Sequence, residues 1–163
     1  MEIRKYGDPV LRKKAALVGR IDEETKRTCK AMIEAMIRAK GMGIAAPQIG
    51  VSRRIVVLDV DGQLHILVNP ELIETSTEEI ESQEGCLSVP GVEGPVARHV
   101  KACLRGTTLE GESAELRGEG VLARAMQHEI DHLNGVLFID HLSPVKRRSL
   151  LKEFSRKKRE KDE

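Results

Sequence analysis

A short histidine motif constrains this chain more than any other feature. The residues His128-Glu129-Ile130-Asp131-His132 read H-E-x-x-H and lie in a segment, about Val121 to Asn134, whose apolar residues recur at helical spacing. In a helix, residues four positions apart share one face and lie about 5–6 Å apart, so both imidazoles can bind one metal ion. The glutamate is not a ligand, but it can hold a water molecule beside the metal and accept its proton. The motif therefore predicts a metal site on the inner face of a helix.

The third ligand of such a site is less clear from the sequence. A catalytic metal needs three protein ligands and one open position. Downstream of His132, Phe138 stands six residues later and Glu153 lies in a charged tail, so neither suits. Upstream, Cys86 offers a soft thiolate that matches imidazole partners. The same cysteine could instead be a nucleophile paired with His128 or an inert loop thiol, and spacing alone leaves these roles open.

Three helices are predicted: one in the first quarter of the chain, the motif helix, and a tail helix at the C-terminus. A helix over 22–40 has Asp22 as its N-cap and is stopped by Gly41 and Gly43. Its apolar stripe includes Cys29, which is predicted to be a small core residue. The motif helix ends at Gly135, and a tail helix begins at Ser143-Pro144.

The middle of the chain is predicted to be β-structure. Asp61-Gly62 is a turn signal between two antiparallel strands, and Pro70 ends the second of them. Cys103 falls in a later extended segment and is expected to be packed. The extended segments are 54–60, 64–69, 72–75, 79–83 and 98–105.

The composition favours one domain over residues 1–163. The chain has 163 residues, within the roughly 100–200 that one domain usually contains. Aromatic residues make up 2%, too few for a protein that reads bases or sugars by stacking. Three cysteines cannot form a disulfide framework, and neither a signal peptide nor a membrane span of ~18 apolar residues is present. We therefore expect a cytoplasmic protein with reduced thiols and no membrane contact.

Three motifs in one order along the chain are together highly specific. They read G-x-G-I-A-A-x-Q at Gly41–Gln48, E-G-C-L-S at Glu84–Ser88 and Q-H-E-x-D-H at Gln127–His132. With them, the chain resembles the bacterial peptide deformylases over nearly its whole length, to about residue 150. We expect an α+β fold in which small antiparallel β-sheets pack around the central H-E-x-x-H helix, with a C-terminal helix.

The resemblance implies a reaction and a role for each motif residue. Peptide deformylases remove the formyl group from the N-terminal formyl-methionine of newly made bacterial proteins. The implied cofactor is one divalent metal ion per chain, Fe²⁺ in the cell, with Zn²⁺, Ni²⁺ or Co²⁺ able to occupy the site. By resemblance, Glu129 is the general base and then the acid for the leaving amine, and Gln48 and the backbone N–H of Leu87 hold the oxyanion. The implied metal ligands are Cys86, His128 and His132.

The resemblance also implies how a formylated peptide binds. The peptide adds as a strand between the segments around Ile44 and Gly85, so backbone bonds hold it whatever its side chains are. The stem of Arg124 is expected to cover apolar surface while its guanidinium stays in water. The predicted methionine pocket consists of Gly43, Ile44, Val121, Ala125 and the ring of His128. Outside the pocket, Arg98 is predicted to be a structural partner of Asp131.

Charge is distributed unevenly along the chain. Lys+Arg is 27 and Asp+Glu is 26, and this near balance argues against a nucleic-acid binder over the whole surface. Residues 146–163 include nine basic and four acidic residues, so 144–163 is predicted to be a basic helical tail on a mildly acidic body. The tail is either a solvated helix or, as the resemblance implies, a docking surface for the ribosome.

Two functions compete with deformylation of nascent peptides. One is an H-E-x-x-H metalloprotease that cleaves internal peptide bonds, which predicts a metal ligand downstream of His132. The other is a non-catalytic metal-binding or peptide-binding module, which predicts that Glu129 is dispensable.

Overall fold

Seven strands and three α-helices form an α+β fold in the computed structural model, which describes residues 1–162. The predicted fold class, with its C-terminal helix, is confirmed. The strands are β1 Gly43–Ala45, β2 Ile55–Val60, β3 Gln63–Thr75, β4 Glu79–Cys86, β5 Val89–His99, β6 Lys101–Thr107 and β7 Ser113–Glu119. The helices are α1 Glu23–Arg38, α2 Gly120–Leu133 and α3 Pro144–Asp162. Short 3₁₀ helices lie at Pro9–Arg12, Ala46–Ile49 and Phe138–His141.

The strands form two separate antiparallel structures. The larger is a five-stranded sheet in the order β1-β2-β3-β6-β7, and the smaller is a two-stranded ribbon of β4 and β5, called the ribbon below. Helix α2 contacts β1, β2, β6 and β7 of the sheet and also β5 of the ribbon. The helix that carries the histidine motif therefore lies where the two structures meet.

Strand β2 shows how the sheet is buried on both faces. Ile55 and Val57 pack in a cluster with side chains of α1 such as Met36. Val56 and Leu58 point the other way, into a cluster with residues of α2. Successive side chains of a strand alternate between its faces, so covering both faces with helices accounts for the unbroken apolar run in this segment.

Helix α1 begins at the predicted N-cap, Asp22, but ends differently from the prediction. The residue in the left-handed conformation is Lys40, with φ of 57°, and not a glycine. The N–H of Lys40 donates to the carbonyl of Ile37 at 3.0 Å, and that of Gly41 donates to Met36 at 2.9 Å. This is the usual pair of bonds that closes a helix, and it normally has glycine at the left-handed position.

Two predicted strand boundaries are wrong. Strand β3 continues through Pro70. After Val68 the strand pairs with β6 alone, and a register shift between Val68 and Glu71 leaves the proline unpaired. Proline is tolerated there because it has no N–H to donate to a neighbouring strand. The segment 98–105 is not one strand. Arg98 pairs in the ribbon and Lys101 pairs in the sheet, so the chain changes sheets at Val100.

Three strands, β1, β5 and β7, were not predicted, apart from the last two residues of β5, which fall in the predicted segment 98–105. Strand β5 contains glycines and prolines that read as turn signals, yet it runs the length of the ribbon opposite β4. Strand β7 alternates polar and apolar residues but follows a glycine-containing turn and carries several charges. Cys29 and Cys103 are both buried, as predicted.

The first half of the tail helix is attached to the body. Leu150 and Phe154 are buried in a cluster with residues of β5 and of 138–141. The ring of Tyr6 meets Phe154 edge-on with 6.1 Å between centroids, and the Lys157 ammonium donates to the carbonyl of Gly91 at 2.6 Å. The last predicted tail residue, 163, lies outside the described residues. Within residues 1–162, no helix combines the length and the apolar character that crossing a bilayer requires.

Candidate metal centre and active-site cleft

Three side chains from two elements converge on one point. His128 and His132 lie one turn apart on α2, and their Nε2 atoms are 3.2 Å apart. The Sγ atom of Cys86, at the end of β4, lies 3.2 Å from Nε2 of His132. All three donor atoms lie within 4.8 Å of one another. One soft sulfur and two imidazoles in this arrangement fit a divalent transition metal.

The position of Cys86 comes from an irregularity in the ribbon. The pairing of β4 with β5 shifts register between Glu84 and Cys86, and the backbone N–H of Ser88 donates to the cysteine sulfur at 3.4 Å. Burial would raise the pKa of the Cys86 thiol, but the nearby imidazoles hold that pKa well below its usual value. The cysteine is therefore suited to act as a thiolate ligand.

A buried ion network holds His128 from behind. Glu84 accepts from Arg98 through two bonds of 2.7 and 3.1 Å, and its Oε2 lies 2.7 Å from Nδ1 of His128. Burial would raise the pKa of Glu84, but the bonds to His128 and Arg98 hold it far below its usual value. Because Nδ1 is engaged by the carboxylate, Nε2 faces the cysteine and is available to a metal.

The network continues to the far side of α2. Arg98 donates to Asp131 at 2.7 Å, which confirms the predicted partnership. Nε2 of His141 lies 2.8 Å from the same Asp131 oxygen. Sequence analysis assigned no role to Glu84. Its position two residues before Cys86, at the start of the E-G-C-L-S motif, was the signal that could have identified it.

Glu129 lies inside the cleft with an oxygen that has no partner. The side chain is 4% exposed, and its Oε1 makes no hydrogen bond within the described residues. Burial raises the pKa of this carboxyl above its usual value. A Cβ atom at Gly43 would lie 2.7 Å from Glu129 Oε2, so any larger residue at this position would force the carboxylate to move. An unsatisfied buried acceptor is where an absent water or ion is expected.

Gln48 is fixed beside the cysteine by hydrogen bonds at both ends of its amide. Its Oε1 accepts from the backbone N–H of Ala45 at 2.9 Å, and its Nε2 donates to the Ser88 hydroxyl at 3.2 Å. The same Nε2 lies 3.8 Å from the sulfur of Cys86. Leu87 follows the cysteine directly and lines the same cleft.

A cavity of about 310 Å³ opens in front of these groups. Of the residues predicted to bind substrate, Gly43, Gly85, Val121, Arg124 and Ala125 line it. Ile44 does not line it, because its side chain is fully buried in the cluster between α1 and the sheet. The pocket role predicted for that side chain is therefore wrong. Met42, the residue before β1, lines the cavity and was not among the predicted residues.

Arg124 also differs from its predicted arrangement. Its guanidinium does not extend into water but donates to Glu84 at 2.9 Å and to the carbonyls of Val96 and Ile80 at 3.0 and 2.8 Å. The residue therefore fastens α2 to both strands of the ribbon. Lys40 and Glu93 complete the charged lining of the cavity.

The chemical content of the cleft is that of a hydrolase. One end has three metal donors, a buried carboxylate with a raised pKa and an amide N–H donor. The other end opens between two strand edges that no other strand among residues 1–162 pairs with, because β1 is the last strand of its sheet and β4 is paired with β5 alone. A carbonyl compound with an extended chain fits such a cleft.

Comparisons with known proteins agree with this geometry. Residues 1–148 match the family model described as polypeptide deformylase. The peptide deformylase of Halothermothrix orenii is 54% identical over 142 residues, which cover 86% of this chain and 92% of that protein. The peptide deformylase of Thermodesulfovibrio yellowstonii is 44% identical, with 97% and 98% covered.

Solved structures are similar over the same length. The crystal structure of a peptide deformylase from Legionella pneumophila has a TM-score of 0.94 at 42% identity and covers 98% of this chain and 96% of that one. A peptide deformylase from Synechococcus elongatus, solved in complex with actinonin, has a TM-score of 0.90 at 38% identity, with 94% and 85% covered.

Proposed function

This chain belongs to the peptide deformylase family, and we propose that it hydrolyses the N-formyl group from the N-terminal formyl-methionine of newly synthesised proteins. The observation that carries the proposal is the meeting of Cys86, His128 and His132 beside the unpartnered carboxylate of Glu129. Water is added across the formyl C–N bond, so formate and a free amino terminus are released.

We propose that Cys86, His128 and His132 hold one divalent metal ion, Fe²⁺ in the cell, with Zn²⁺, Ni²⁺ or Co²⁺ able to take its place. The donor set supports this, because one thiolate and two neutral imidazoles are ligands that these borderline-soft ions accept. When bound, such an ion supplies a Lewis acid and lowers the pKa of a coordinated water from about 16 to about 7.

Glu129 is the proposed general base. Its raised pKa lets it accept a proton from the attacking water and return it to the leaving amine. A positioned base of this kind contributes about 10²–10⁴ to the rate. Its Oε1 has no other partner in the described part of the chain, so the proton has a free acceptor atom.

Gln48 and the backbone N–H of Leu87 are the proposed oxyanion donors. One hydrogen on Nε2 of Gln48 is engaged with Ser88, and the second, which makes only a long contact of 3.8 Å with the Cys86 sulfur, is the donor proposed for the oxygen of the formyl group. Because Ala45 holds the other end of the amide, this donor is oriented before substrate arrives. A preorganised donor of this kind is worth about 10²–10³ in rate.

The peptide is proposed to bind as an added strand between β1 and β4. The carbonyl of Met42 accepts from Asp59 of β2, and hydrogen-bonded pairs alternate along an antiparallel ladder, so the N–H and C=O of Gly43 point away from β2. These groups and the main chain of Gly85 can bind any sequence. The methionine side chain would then lie near Met42, Val121 and Ala125.

Replacing Glu129 by alanine tests the enzyme proposal. We expect metal content to stay at one ion per chain while kcat on a formyl-methionyl tripeptide falls by about 10²–10⁴. Glu34→Ala, an exposed glutamate on α1, is the matched control. Purification without oxygen protects the thiolate from oxidation. Equal rates on the formyl and acetyl peptides would argue against a deformylase, and an unchanged rate in Glu129→Ala would favour a non-catalytic module.

Replacing Cys86 by serine separates deformylation from the metalloprotease alternative. The deformylase proposal expects loss of the metal, because the cysteine supplies one of three ligands. A metalloprotease with a ligand downstream of His132 would keep its metal in this variant. Metal analysis of the purified protein gives the answer directly.

The basic tail is proposed to dock this enzyme on the ribosome, in the cytoplasm where nascent chains emerge. Removing the whole helix is a poor test, because Leu150 and Phe154 belong to the core. Neutralising exposed tail residues keeps the fold. In a triple variant, Lys152, Lys158 and Arg159 are changed to Gln. We expect this variant to co-sediment less with ribosomes and its ribosome binding to depend less steeply on salt. The control changes Lys13, Lys14 and Lys30 to Gln, and equal binding of both variants would reject the proposal.

A further inference from the structure

Two charged side chains at the cleft have no ion-pair partner within the described part of the chain. Among the other charged residues that line the cavity, Glu84 and Arg124 bind each other at 2.9 Å and Glu129 is buried beside the metal ligands. Lys40 and Glu93 also line the cavity, and both are exposed. Neither forms an ion pair with any residue of 1–162, so their charges are available to a bound molecule.

Lys40 occupies a position where the backbone favours glycine. Its φ of 57° is the left-handed conformation that closes α1, and a non-glycine residue there is disfavoured. Its exposed side chain lines the cavity. Residues in disfavoured backbone conformations cluster at active and ligand-binding sites.

Glu93 lies on the opposite side of the cleft, on the ribbon. Its side chain extends over Gly85, where a Cβ atom would lie 3.4 Å from the Glu93 Cγ. Gly85 is part of the β4 edge along which the peptide is proposed to add. A side chain of the bound peptide that leaves the β4 edge at this point therefore comes within reach of the carboxylate.

Building on the proposed deformylase function, we propose that Lys40 and Glu93 select charged side chains in the residues that follow the formyl-methionine. Glu93 favours a lysine or arginine, and Lys40 favours an aspartate or glutamate. Each long side chain can turn toward the side of the cleft that bears the opposite charge. Neutral residues at the same positions gain no such contact.

The test compares kcat/KM for three sets of formyl-methionyl peptides, with alanine, lysine or glutamate at the second or third residue. Glu93→Gln should lower the lysine-to-alanine ratio by about two- to five-fold, the range of an exposed ion pair. Lys40→Gln should lower the glutamate-to-alanine ratio by a similar factor. The controls, Glu34→Gln and Lys30→Gln on the exposed face of α1, should leave both ratios unchanged.

Salt distinguishes a charge contact from a change of shape. The wild-type ratios should approach one at about 1 M salt, where the Debye length is about 3 Å. Ratios that are unaffected by either substitution, or that survive high salt, would overturn the proposal. If the alanine peptide itself is not hydrolysed, the deformylase function fails instead, and the Kd values of the same three peptide sets then decide the charge preference.

Discussion

The sheet and the ribbon supply the active site with groups of different kinds. The sheet side contributes Gly43 and, through the following 3₁₀ helix, Gln48, both of which are uncharged. The ribbon contributes Cys86, Glu84 and Arg98, whose charges are buried or half-buried. The sheet side is held by apolar packing on both faces, whereas a two-stranded ribbon is not stable by itself. The ribbon therefore depends on the ion network and on α3.

Breaking the ion network should have the largest effect. Arg98→Met leaves Glu84 buried with only Arg124 and His128 as partners. Breaking a buried pair costs about 3–5 kcal/mol, and the two remaining partners place the expected loss near the lower end, about 3 kcal/mol in urea unfolding. Metal affinity should also fall by about 10–100-fold, because Glu84 orients the His128 ring.

The matched control for Arg98 is an exposed pair in the sheet. Arg105→Met removes a contact of 3.0 Å to Glu115 in which both side chains are more than 40% exposed. We expect little change in stability and no change in metal affinity. Similar losses of unfolding free energy in the two variants would mean that burial of the ion network does not matter. That result would contradict the idea that the ribbon, unlike the sheet, depends on buried charges.

Removing the anchor of α3 should loosen the ribbon before the sheet. Phe154 is 5% exposed and packs with β5 residues and Tyr6. Phe154→Ala should cost about 3 kcal/mol, and native-state hydrogen exchange should accelerate in β4 and β5 while β2 and β3 stay protected. Uniform acceleration over both structures would show that they unfold as one unit.

A conservative change on the sheet side should affect stability alone. Ile44→Val removes one methylene from a fully buried side chain and should cost about 0.5–1.5 kcal/mol. Because this side chain faces α1 and not the cavity, kcat/KM should remain within about two-fold of wild type. A clear rise in KM would restore the substrate-binding role that sequence analysis assigned to Ile44.

Sequence analysis was most reliable where a chemical motif and a regular period coincide. The convergence of His128 and His132 could be predicted because helical spacing alone places them on one face. The central position of that helix could be predicted because apolar residues flank the two histidines. The ribbon could not be predicted in the same way, because β5 reads as turns and the partnership of Glu84 with Arg98 joins residues from different strands. Tertiary contacts also decide that Ile44 packs against α1 while Met42, the residue before β1, lines the cavity.

The smallest expected effect concerns an exposed ion pair between the N-terminal segment and the 3₁₀ helix at 138–141. Arg12 donates to Asp140 at 2.7 and 3.2 Å. Burial would raise the pKa of Asp140, but the bonds from Arg12 and from the Leu137 N–H lower it. A carboxyl with a lowered folded-state pKa stabilises the protein above its unfolded pKa, about 3.9, and this contribution disappears as the pH falls through the folded-state value.

Arg12→Met should therefore reduce stability by at most about 1 kcal/mol at neutral pH, since solvent screens the pair. The difference in unfolding free energy between the variant and wild type should be constant above about pH 5. It should shrink below about pH 4, as Asp140 becomes protonated in both proteins. Urea unfolding at several pH values on both sides of this range measures the difference. A difference that persists in acid would assign the effect of Arg12 to its bond with the Gly135 carbonyl, which does not titrate. In that case, a bond from the guanidinium to a carbonyl, and not an ion pair, joins the N-terminal segment to the residues after α2, and the contrast between apolar and ionic attachment holds only in the buried part of the molecule.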